Sequence, residues 1–220
     1  MKRTKLADRA MPDYSQGEEL WNTVSHLVGA GLGVVALVWC LILSNTPMEI
    51  ITSIVYAMTM ILLYTTSGIY HGLKDSMAKR VFQVLDHCTI YLFIAGTYTI
   101  VMLCSVRLEN AAMAWAIVAI EWVLAAIAVT LTAIDLKRFE LFSLACYIIL
   151  GWVGIIAVKP AIRALGAAGS ILLLAGGISY TIGSILYVIG KKKQYVHSVF
   201  HVFILLGSLL HLFCIVFFVL

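Results

Sequence analysis

The chain has 220 residues, 62% of them hydrophobic and only 12% charged, with a formal net charge of +4. Soluble domains sit nearer half apolar and a quarter charged, so most of this apolar surface must face lipid. Basic residues are confined to the tail and short loops, which excludes the continuous basic face that nucleic-acid binding requires.

The first twenty residues are polar and contain no apolar stretch of the kind a cleavable leader needs, so the first membrane helix is expected to direct insertion. Ser15-x-x-Glu18 reads as a capping box that starts that helix. Residues 1–22 are read as a cytoplasmic tail with the start of the first helix, and 23–220 as one transmembrane domain. A span needs about 20 mainly apolar residues. Seven stretches meet that condition: 23–44, 50–72, 84–106, 112–134, 141–158, 166–189 and 195–219. The expected fold is an all-α membrane protein, a bundle of seven transmembrane helices. Breakers separate the spans at Asn45-Thr46-Pro47, Arg107 to Asn110, Asp135 to Arg138 and Lys159-Pro160.

Loop charge sets the expected orientation. One side collects twelve basic residues: Lys2, Arg3, Lys5, Arg9, Lys74, Lys79, Arg80, Lys137, Arg138 and Lys191 to Lys193. The other holds three, Arg107, Lys159 and Arg163. The amino terminus is therefore expected inside and the carboxyl terminus outside, which is inverted relative to G-protein-coupled receptors.

Polar residues recur at one edge of this apolar frame. Glu19-x-x-Asn22-x-x-x-His26 forms a stripe entering the first helix. Ser67-x-x-x-His71 closes the second, Asp86-His87 opens the third, and His197-x-x-x-His201 opens the last. At about 1.5 Å per residue, the last three groups fall roughly 5–12 Å below the basic side. Residues four apart lie about 40° apart around a helix, so His197 and His201 can grip one ion. With His71 they make a three-imidazole set suited to Zn²⁺ with an open fourth position. Asp86 is placed inward to orient a water or a ligand imidazole. His87, about 100° further round, is expected to give at most a supporting contact, and Asn22 and His26 to back the ligands.

His211 lies about 15 Å further along the last helix and cannot share that ion. Glu121 sits mid-span, where an acid is costly and invites a functional explanation. Gly96-Thr97-Tyr98-Thr99 reads as a close helix contact. The five cysteines stand singly in apolar surroundings and imply packing rather than disulfides.

Taken together, the Glu19/Asn22/His26 stripe, SGIYH (Ser67 to His71), LDHCTIYLFIAGTYT (Leu85 to Thr99) and HSVFH (His197 to His201) followed by His211 resemble the haemolysin III family. That family is the bacterial branch of the progestin and adipoQ receptor superfamily, which groups with alkaline ceramidases. One departure is visible: Ile100 follows GTYT where the family usually has proline. The resemblance implies an intramembrane zinc held by His71, His197 and His201, with Ser67 and Asp86 as the motif serine and aspartate. It also implies a bacterial plasma-membrane location and a link to membrane-lipid homeostasis.

The leading expectation is a zinc-dependent hydrolase of a membrane-lipid amide or ester, with Asp86 as general base and Ser67 as hydrogen bonder. The alternatives are a sensor or receptor in which zinc only clamps helices, and a pore-forming haemolysin. Isolated Glu121 and His211 offer no charged path through the bilayer for a pore.

Overall fold

The computed structural model describes residues 4–8 and 11–220. Lys2, Arg3 and Arg9, counted above for topology, lie outside the described residues. Among those described the structure is all-helical, with six segments long and apolar enough to cross a membrane. They are α1 (Gln16–Leu43), α2 (Pro47–Gly72), α3 (Met77–Glu109), α4 (Ala111–Ile134), α5 (Glu140–Gly190) and α6 (Val196–Val219).

The expectation of seven spans is therefore corrected to six. The expected fifth span, 141–158, is not a helix of its own. An α-helix over Glu140–Trp152 passes through a 3-10 turn at Val153–Ala157 into the helix Val158–Gly190. Lys159-Pro160 does not break this run because Pro160 lies in the first turn of its last section. A proline's missing N–H is no loss there. Gly166, at φ 66°, breaks the run instead, and the run folds back so that its two ends meet where Lys191 pairs with Glu140 at 2.6 Å. Placement of the termini on opposite sides rested on an odd count and falls with it.

Local chemistry explains the other boundaries. Ser15 with Glu18 and Thr46 with Glu49 form reciprocal capping boxes, and Pro47 opens α2. Ser76 and Asn110 cap α3 and α4 through the backbone N–H groups of Lys79 and Met113. The end of α3 widens into a π-helical stretch at Met102–Val106.

The segments form a ring in which α1 packs on α2, α2 on α3, α3 on α4, α5 on α6, and α6 back on α1. Large side chains such as Tyr56, Met60, Tyr64, Ile100 and Leu212 fill the interior. Val28, Ile42, Leu141, Ile171 and Phe217 point outward, as expected against lipid. Polar groups turned inward must find partners inside the bundle. Ser208 Oγ does so with the hydroxyls of Tyr64 (2.7 Å) and Tyr180 (2.9 Å), tying α6 to α2 and α5.

Small residues let α1 and α2 approach closely. A Cβ built on Gly33 would meet the backbone N and Cα of Ile61 at 3.2 and 3.3 Å, whereas at Gly31 nothing lies within 4 Å. Gly33→Leu should therefore destabilise the protein by about 1–3 kcal/mol through overpacking. Gly31→Leu should be close to neutral, and thermal melts of the two purified variants check the difference.

Candidate metal centre

Three imidazoles meet where α2 ends and α6 begins. One nitrogen from each of His71, His197 and His201 lies within 4.8 Å of the other two, and all three residues are buried. The i, i+4 spacing on α6 puts His197 and His201 on one face, their Nε2 atoms 3.1 Å apart. His71 reaches the same point from the last turn of α2.

The outer nitrogens fix the tautomers. His71 Nδ1 donates to Glu19 Oε2 at 2.6 Å, so its Nε2 carries a bare lone pair. That Nε2 is buried and has no hydrogen-bond partner among the described residues. Ser25 Oγ gives its own proton to the Asn22 carbonyl (3.1 Å) and so accepts from His201 Nδ1 at 3.4 Å. His201 Nε2 is then a second inward lone pair. Inward lone pairs in an apolar surrounding repel one another unless a proton or cation sits between them.

The arrangement fits a transition ion. Two nitrogens each about 2.0–2.1 Å from a tetrahedral centre would lie about 3.3 Å apart, close to the 3.1 Å between His197 and His201. Three imidazoles, one of them oriented by a carboxylate, are a donor set suited to zinc.

Glu19 does more than the sequence suggested. Its other oxygen accepts from Lys79 Nζ at 2.6 Å, and Lys79 also donates to the Leu73 carbonyl at 2.8 Å. Asn22 Oδ1 accepts from Ser198 Oγ at 2.7 Å, and its Nδ2 stands 3.5 Å from His71 Nδ1. His26 stacks on His201 with ring centroids 3.6 Å apart, and neither of its nitrogens has a hydrogen-bond partner among the described residues. The expected backing stripe of Glu19, Asn22 and His26 is thus brought to the histidines.

A cavity of about 460 Å³ adjoins the centre. His26, Ser67, Asp86, His197 and His201 line it, and it continues between apolar walls to His211. Ser67 is buried and its hydroxyl has no partner among the described residues. The Asp86 carboxylate has no hydrogen bond there either; its nearest ionic neighbour is His87 Nδ1 at 3.9 Å. His87 also lines the cavity, but its nitrogens face the Gln83 carbonyl (2.8 Å) and the Tyr187 hydroxyl (3.2 Å) rather than the three histidines. His211 donates from Nε2 to the Leu173 carbonyl at 3.1 Å. Glu121 is fully buried on α4, its carboxylate oxygens without partners among the described residues, and it does not border this cavity.

Sequence reasoning missed Lys79, Ser25, Ser198 and Tyr14. Lys79 was counted only as a loop charge, yet it is 7% exposed and paired with Glu19. Ser25 and Ser198 flank predicted residues, and their proximity to Asn22 and His197 was an available signal. Tyr14 gave none. It stacks on His197 with centroids 4.8 Å apart and lies 5.7 Å from His71. Burial above all, with smaller contributions from Tyr187, Glu19 and Asp86, pushes its phenol well above the ordinary value and keeps it protonated.

Fold and site define an all-helical protein with membrane-spanning segments and a buried tri-histidine centre. Residues 14–212 match the family model described as haemolysin-III related. The chain is 37% identical over 206 residues to hemolysin-3 of Bacillus cereus, covering 92% of each protein. It is 35% identical over 204 residues to a hemolysin-3 homolog of Bacillus subtilis (strain 168), covering 91% of this chain and 94% of the relative. The chain belongs to the haemolysin III family.

Replacing the carboxylate that holds His71 should weaken the centre without removing a ligand. For a zinc ion held by the three histidines, Glu19→Gln is expected to lower affinity by about 10–100-fold, read by competition with a chromophoric chelator.

Proposed function

We propose that this protein is a zinc-dependent hydrolase of a membrane-lipid amide or ester, serving membrane-lipid homeostasis from the plasma membrane. The observation that carries this reading is the convergence of His71, His197 and His201 beside a cavity whose wall offers an uncommitted carboxylate and hydroxyl, Asp86 and Ser67. Its apolar walls, including Leu63, Phe93, Ile94 and Ile148, suit a hydrocarbon chain. Lys137 and Lys191 border the same cavity and Lys79 backs the histidines. This clustering supports a site facing the cytoplasm under the positive-inside rule.

Zinc bound there would supply Lewis acidity, polarising a carbonyl and making water nucleophilic near neutral pH. Asp86 accepts a proton as the water oxygen adds to the carbonyl carbon. It returns that proton to the leaving nitrogen or oxygen as the C–N or C–O bond breaks. Ser67 donates to the oxygen that gains charge. Glu19 and Ser25 hold His71 and His201 in the tautomers that face inward.

A clamp that merely joins α2 to α6 would need the histidines but give Asp86 no chemical duty. Purified protein assayed against a fluorescent ceramide and a fluorescent phospholipid separates the two readings. Turnover should vanish with a zinc chelator and in His197→Ala. Asp86→Asn should retain zinc and lose about 10²–10⁴ in rate. Full activity of Asp86→Asn, or hydrolysis indifferent to the chelator, would refute the hydrolase. Zinc retention without any turnover would favour the clamp. The relatives' name, hemolysin, makes lysis the remaining competitor, which liposome leakage caused by wild type and not by His201→Ala would support.

A further inference from the structure

Tyr14 precedes α1, yet it is built into the metal centre. Its ring lies over His197 at 4.8 Å with planes 26° apart. The chain just after it is pinned to the start of the helix that carries His197. Glu18 accepts from the backbone N–H and hydroxyl of Ser15 at 2.9 and 2.8 Å, and from the backbone N–H of Tyr195 at 2.7 Å. One carboxylate thus fastens the residue after Tyr14 to the residue two before His197.

The neighbouring donors already have acceptors. Lys79 serves Glu19 and Leu73, and the Tyr187 hydroxyl serves His87. The Tyr14 hydroxyl has no partner among the described residues, although Tyr14 lines the cavity with Asp86 and Ser67. A phenol that lines the cavity without an acceptor from the described residues is free to donate to a molecule that enters it. Hard oxygen acceptors are the ligands that an open coordination position beside three imidazoles would present there.

We propose that the Tyr14 hydroxyl donates a hydrogen bond to the oxygen of a carbonyl or carboxylate ligand at the metal's open position. It acts beside Ser67 and favours oxygen ligands over sulfur ones. This rests on the metal reading above and adds to it a ligand-contacting residue from outside the helical segments.

Purified full-length protein loaded with cobalt(II) tests it, because the visible spectrum reports both metal binding and ligand exchange. Tyr14→Phe keeps the stacked ring and removes only the hydroxyl. It should bind cobalt and 2-mercaptoethanol as wild type does, but acetate roughly tenfold or more weakly, as expected for one lost hydrogen bond to a charged acceptor. Unchanged acetate binding overturns the proposal. So does an equal loss for acetate and 2-mercaptoethanol, which would make the ring a lid. Loss of the cobalt spectrum in Tyr14→Phe overturns it too, since Tyr14 would then be building the triad. A wild-type protein that binds cobalt but ignores acetate refutes the Tyr14 assignment alone; one that binds no cobalt removes the metal centre and this assignment together.

Discussion

The Glu19 carboxylate, shared between His71 Nδ1 and Lys79 Nζ at 2.6 Å each, is the interaction on which the rest of the centre depends. An imidazole with an unassigned proton could point either nitrogen inward. A carboxylate on Nδ1 decides the question and leaves the Nε2 lone pair facing His197 and His201. Lys79 holds Glu19 in place, and the pair joins the starts of α1 and α3 to the end of α2. Polar order at this end of the bundle is therefore a connected network, in which each member is held by another.

The network also links the two ends of the chain. Glu18 and Glu19 are neighbours on α1, but they face different partners. Glu18 binds the turn at Tyr195, whose φ of 61° lets the backbone enter α6 without a side-chain cap. Asn22, one turn further along α1, accepts from Ser198 on α6. Two successive turns of α1 thus set the position of the helix that supplies two of the three imidazoles. The apolar remainder of α1 faces outward or packs on α2, where Gly29 and Gly33 allow close approach.

Much of this centre was legible because its chemistry is written in helical spacing. His197 and His201 share a face by periodicity alone, and Ser67, His71 and Asp86 stand out because polar groups in apolar spans need a reason. Glu19, Asn22 and His26 were readable as a stripe for the same cause. The span count was not. Lys159-Pro160 carries every mark of a connector, yet a proline in a helix's first turn breaks nothing, and the break falls at Gly166 instead. A breaker's effect depends on where the helix begins, and composition does not reveal that.

The sequence by itself determined an all-helical membrane protein and the residue types able to hold a metal at one edge. Hydropathy and the 3.6-residue repeat are properties of the chain alone. Only the tertiary structure decided which nitrogen of each histidine turns inward, that Lys79 is buried against Glu19, and that Tyr14 covers His197. Those facts depend on partners at least 52 residues away, and contacts at such separations leave no trace in local periodicity.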